Sequence, residues 1–139
     1  MTYDHPLPDR VLAATPIHTA LLAFPIACFT LTVLTDLAYW RTVNLLWLHF
    51  SEWLLLAGLV FGGVDLLVRL VDLVFRHVRP SWLTVFGGVV VLLLAVLNSF
   101  IHTSDGWTAV VPWGLTLSVL TVLAMLVTGW LARGGARHV

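Results

Sequence analysis

The sequence predicts an all-α integral membrane protein, a four-helix bundle with its N-terminus and C-terminus cytoplasmic. Composition, four long apolar runs and the placement of arginine predict it. Hydrophobic residues fill 60% of the 139 positions and charged residues 10%, and the mean hydropathy is +0.99, outside the range of soluble domains. The apolar runs cover 17–39, 45–67, 82–102 and 107–131. Each supplies the about 20 residues that a bilayer core about 30 Å thick requires at about 1.5 Å per residue. All seven basic residues are arginine. With the amino terminus inside, Arg10, Arg69, Arg76, Arg79, Arg133 and Arg137 collect on the inner side and Arg41 alone lies outside, a decisive positive-inside bias.

The elements follow in order, as a single domain over 1–139. Residues 1–16 carry Asp4, Asp9, Arg10 and three prolines, unlike the basic start of an export signal, so the first run is expected to be a retained span. Pro25 lies about two turns into it, where a missing backbone donor can bend the helix. A short link makes the second span its antiparallel neighbour. In that span Gly58 and Gly62 form a small-xxx-small pair, with Ser51 and Asp65 on nearly the same face, which predicts close helix approach.

Beyond it, Asp65, Arg69, Asp72 and Arg76 recur at i, i+4, i+7 and i+11. Such a stripe of alternating sign continues the helix past the membrane core, as a solvated interfacial face or as a surface for lipid headgroups or a partner. The connection 68–81 is the longest and is charged. Gly87 and Gly88 in the third span, and Gly114, Thr116 and Ser118 in the fourth, are further packing positions, and Pro112 opens the fourth. Tyr39, Trp40, Trp47 and Trp107 fall at the outer interface and Trp82 and Trp130 at the inner one, in agreement with the arginine rule.

Several function classes drop out. A formal net charge of zero argues against nucleic acid, which needs a basic face. The single cysteine, Cys28, lies inside an apolar run, so it forms neither a disulfide framework nor a cysteine zinc site. No nucleophile elbow, phosphate-binding loop or HExxH motif occurs.

What remains is the set of ionisable groups inside the spans, which are costly there and therefore candidates for function. By depth, Asp36, His49, Glu52, His102 and Asp105 fall in the outer third, and His18 and Asp65 near the inner boundary. His49 and Glu52 share a helix face, as do Asn98 and His102. Two histidines at one height on neighbouring helices can ligate a haem iron axially, with Glu52 or Asn98 fixing their tautomers. The same groups can bind a transition metal, or form a quinone or proton-exchange site. Equally, His49 and Glu52 can satisfy each other within one helix, and His102 can be hydrated at the interface. At the inner pole, His18 and Asp65 can tie two helix ends together.

The stretches 16–29 (PIHTALLAFPIACF), 36–40 (DLAYW), 51–59 (SEWLLLAGL) and 98–102 (NSFIH), then 105–107, 111–112 and 128–130, resemble a bacterial family of small membrane proteins, domain of unknown function 2231. The likeness runs over nearly the whole chain. It implies a histidine near the start of the first helix followed by a Phe-Pro pair, supplied here by His18, Phe24 and Pro25. Many relatives have His-Pro there, whereas this chain has His18-Thr19. The resemblance nominates His18, Asp36, Asp65, Asn98 and His102, does not extend to His49, and implies no particular reaction.

The expectation is a small inner-membrane redox or anchoring subunit that binds haem b or interacts with quinone on its outer side, for a periplasmic partner. Its cofactor-binding residues are His49, His102, Glu52 and Asn98, and its other intramembrane polar groups are His18, Asp36, Asp65 and Asp105. A proton or small-ion transport element, which would have to form a homo-oligomer, and a structural scaffold are the alternatives.

Overall fold

A computed structural model describes residues 16–75, 81–104 and 110–135, and side chains within 19–75, 81–104 and 110–133. The chain forms α1 (Pro16–Thr42), α2 (Leu45–Phe75), α3 (Trp82–Thr103), a wide π-type turn (Val110–Gly114) and α4 (Leu115–Gly135). All four helices are long and apolar enough to cross a membrane. In hydrocarbon a helix is the natural solution, because it satisfies its backbone groups within one segment. Hydroxyls in the spans do the same: Thr32 donates to Cys28 O and Thr121 to Leu117 O, each one turn back.

The helices run up and down in the cyclic order α1, α2, α3, α4, with α1 against α2 and α3 against α4 as the closest pairs and α1 also meeting α4. Burial is inverted relative to a soluble bundle. Thr32, Asp36, Ser51, Asp65, Asn98, His102, Ser118 and Thr121 are buried, while Phe24, Leu34, Trp53, Leu97 and Leu126 are exposed on the outside. That is the arrangement a lipid solvent selects, since lipid solvates leucine as well as a protein core does.

Along the axis the interior is layered. Phe29, Leu55, Val91 and Ala95 form one apolar layer, and Tyr39, Leu48 and Val110 form another. Between them lies a polar layer at the level of Asp36. α2 presents Ser51, Leu55, Gly58 and Asp65 to the interior, the face expected from its small-residue spacing. At Gly58 an added Cβ would lie 2.4 Å from Phe29 Cε1, so the absence of a side chain lets α1 seat its ring on α2.

α2 is 31 residues long, about 46 Å at 1.5 Å per residue, and exceeds a bilayer core about 30 Å thick. The continuation expected from the Asp65, Arg69, Asp72 stripe is therefore present, with Arg69 Nε donating to Asp65 Oδ2 at 2.7 Å. Arg76 lies outside the described residues. Where the fourth span begins, Val111 has extended angles (φ −122°, ψ 118°), as a residue preceding proline prefers. The Val111–Pro112 peptide is cis.

The α1–α2 turn holds the one strained position among the described non-glycine residues. Val43 has φ 53° and donates its N–H to Tyr39 O at 2.7 Å, closing α1 in the left-handed capping conformation that glycine usually fills. Asn44 then caps α2 through Oδ1, which accepts from Leu46 N at 3.0 Å. A branched side chain in that region costs about 1–2 kcal/mol, and glycine returns part of the gain as chain entropy. Val43→Gly is thus expected to stabilise the protein by about 0.5–1 kcal/mol, read as a later midpoint in reversible unfolding by SDS in mixed micelles. An unchanged or earlier midpoint would refute the strain.

Candidate functional site

The polar layer is built from one group on each helix and centred on the Asp36 carboxylate. Asp36 of α1 is fully buried. Its Oδ1 accepts from Ser51 Oγ of α2 at 2.5 Å, and its Oδ2 accepts from Ser118 Oγ of α4 at 2.5 Å. His102 of α3 places Nε2 at 2.9 Å from Oδ1. Asn98, one turn before His102, donates from Nδ2 to Ser118 Oγ at 2.7 Å, and Thr35 Oγ1 meets Ser51 Oγ at 2.7 Å. A carboxylate within an apolar span thereby gains a partner from every other helix, the condition on which such a group is tolerated.

Local sequence explains why these side chains converge. Asn98 and His102 are four apart on α3 and so share a face. Asp36 stands six residues before the end of α1 and Ser51 six after the start of α2, so a tight antiparallel hairpin sets them at one height. Gly114 makes room for the imidazole, since a Cβ there would lie 2.9 Å from His102 Cε1.

The hydrogen bonds fix much of the proton inventory. His102 Nδ1 lies 3.0 Å from Asn98 O, a carbonyl that can only accept, so Nδ1 carries a hydrogen. One further hydrogen lies between Nε2 and Asp36 Oδ1, either as imidazolium with carboxylate or as imidazole with carboxylic acid. Both arrangements have zero net charge. The pair therefore holds that hydrogen without placing a net charge in a low-dielectric interior. Asn98 Oδ1 is buried and accepts no hydrogen bond among the described residues, which leaves an acceptor beside the pair.

The site expected from sequence is redistributed. Asn98 and His102 come together, and Asp36 joins them. His49 Nδ1 lies 3.2 Å from Glu52 Oε2 with its side chain 63% exposed, the intrahelical pairing that was one of the sequence readings. His49 is two residues from Ser51, about 200° around α2, so it faces away from the layer that holds His102. His49 and His102 are thus not brought to one centre. Among the described residues no group of three or more His, Cys, Asp or Glu could hold a metal ion. Asp65 is buried and pairs with the partly exposed Arg69, while the His18 side chain and Asp105 lie outside the described residues. Sequence reasoning placed Asp36 in the outer polar group but not among the cofactor-binding residues, and read Ser118 only as packing. Their signal was a shared depth of polar residues, Thr32, Asp36, Ser118 and Thr121, on otherwise apolar helices.

Comparison with protein families matches residues 14–138 to the family described as "Predicted membrane protein (DUF2231)". No curated protein and no solved structure matches the chain.

Proposed function

From the premise that the chain belongs to the DUF2231 family of predicted membrane proteins, we propose that it is a bacterial inner-membrane subunit that interacts with quinone for a periplasmic redox partner. The Asp36–His102 pair is its proton-bearing site. One observation carries the reading: His102 Nε2 lies 2.9 Å from Asp36 Oδ1 at the meeting point of four helices, with both side chains 0% exposed. Quinone reduction and quinol oxidation move protons together with electrons, so a quinone-handling subunit needs a proton donor or acceptor at membrane depth. Asn98 Oδ1 supplies an acceptor for a quinol hydroxyl next to that pair. The arginine distribution supports cytoplasmic termini and, with them, a polar layer toward the periplasm.

The quinone version is favoured over the haem version. Axial ligation by His102 would require it to give up a hydrogen bond to Asp36 or to Asn98 O, and His49 would have to leave Glu52 and the far side of α2. A transport role is disfavoured by the apolar layer of Phe29, Leu55, Val91 and Ala95, which interrupts any polar route toward Asp65.

Titration of the detergent-purified protein with decylubiquinone is expected to quench tryptophan fluorescence saturably. Asn98→Leu should weaken that binding by about tenfold, the worth of about 1.4 kcal/mol, with helicity unchanged by circular dichroism. Absence of saturable quenching would remove the quinone reading. A Soret band after haem addition would reinstate the haem one, and identical binding by a folded His102→Gln variant would remove the Asp36–His102 pair from the quinone site.

A further inference from the structure

At the opposite pole from the polar layer, a cavity of about 210 Å³ opens between the two helical hairpins, with walls from all four helices. Phe29 and Val91 floor it, and Asp65 and Arg69 stand at its other end. Its width comes from glycine: an added Cβ at Gly88 or Gly129, both lining residues, would meet nothing within 4 Å. The volume falls short of the about 300–1,000 Å³ of pockets that enclose drug-sized ligands. It suits a length of hydrocarbon chain better than a whole ring cofactor.

The position of Arg69 says what such a chain is attached to. Counted from Leu45 at the far boundary, about 20 residues of α2 cross the core, so Arg69 stands at headgroup level and the cavity runs from it into the hydrocarbon. Arg133, next to the lining residue Ala132, is exposed and makes no ion pair among the described residues. In sequence, six arginines (Arg10, Arg69, Arg76, Arg79, Arg133 and Arg137) belong to this end of the spans against four aspartates (Asp4, Asp9, Asp65 and Asp72). A basic rim over an apolar slot is complementary to an amphipath with a negative head.

We infer that this cavity is a site for one anionic membrane phospholipid, an acyl chain lying along Gly88 and Gly129 between the hairpins and the phosphate engaging Arg69 and Arg133. This site is separate from the proposed quinone function and stands or falls independently of it. The bound lipid fills space that the four helices leave open and joins the two hairpins at the pole where the Asp36 layer does not reach.

Native mass spectrometry of the full-length protein, released from detergent with equal amounts of dioleoyl phosphatidylglycerol and dioleoyl phosphatidylcholine, tests this. One phosphatidylglycerol is expected to survive collisional activation that strips all other lipid. Arg133→Gln should reduce its retention several-fold, and Gly88→Leu, whose Cβ meets nothing within 4 Å and whose branch fills the slot, should abolish it. Gly129→Leu serves the same purpose if Gly88→Leu does not fold. Equal retention of the two lipids, retention undiminished in a folded Gly88→Leu or Gly129→Leu protein, or displacement of phosphatidylglycerol by decylubiquinone would each overturn the assignment.

Discussion

Asp36→Ala is expected to destabilise the bundle by about 3–5 kcal/mol, the cost of stranding one member of a buried charged pair. The substitution leaves His102 Nε2 without its partner and deprives the Ser51 and Ser118 hydroxyls of their acceptor at the same time. Ser118→Ala removes only part of the network and is expected to cost about 1 kcal/mol, since single interhelical hydrogen bonds in membranes average about 0.6 and reach about 1.7 kcal/mol. Reversible unfolding by SDS in mixed micelles separates these magnitudes. Because Asp36 and His102 act on each other, Asp36→Ala with His102→Ala should cost less than the sum of the two single changes, by an interaction energy of about 0.5–3 kcal/mol. If the two effects add to within about 0.5 kcal/mol, the polar layer is not the unit described above.

Gly58→Val has the second largest expected effect, a loss of about 1–3 kcal/mol from overpacking. Three atoms of the Phe29 ring lie within 2.9 Å of the Cβ position at Gly58, and that ring is itself held among Leu55, Val91 and Ala95. Replacing a helical glycine also brings a gain in helix propensity, up to about 1 kcal/mol for alanine, so the two effects oppose each other. At Gly58 the clash is the larger. At Gly129, where a Cβ meets nothing within 4 Å, alanine should show the propensity gain alone and stabilise the protein. Adding Phe29→Leu to Gly58→Val should recover part of the loss. A Gly58→Val protein as stable as the native one would mean that α1 does not sit on α2 as described.

The sequence made the axial coordinate of this protein legible and left the azimuth dark. Span lengths follow from hydrocarbon thickness, so the four helices and the extension of α2 past the membrane were readable to within a few residues. The buried face of α2 was readable as well, because Ser51, Gly58, Gly62 and Asp65 are the small or polar positions of one apolar helix. Depth correctly grouped Asp36, Glu52, His49 and His102. Which of them share a centre depends on how each helix is turned about its own axis, and that rotation is set by packing between helices. Phe29 against Gly58 and His102 against Gly114 are contacts between residues far apart in sequence. His49, two positions from Ser51, was placed in the site by its chemistry and is kept out of it by its angle. Ser118 carried no charge to draw notice, yet it bridges Asn98 and Asp36.

The location of Asp36 also bears on how the chain is made. Synthesis delivers the α1–α2 hairpin first, and at that stage the carboxylate has Ser51 as its partner across the turn. Its two remaining partners, His102 and Ser118, arrive only with the second hairpin. An aspartate within a membrane span is costly, up to about 2.5–3.5 kcal/mol at the bilayer centre and less toward the boundary where Asp36 lies, so the first hairpin alone offsets that cost only in part until α3 and α4 close over it. The residue that fastens the finished bundle is thereby the one whose partners are completed last.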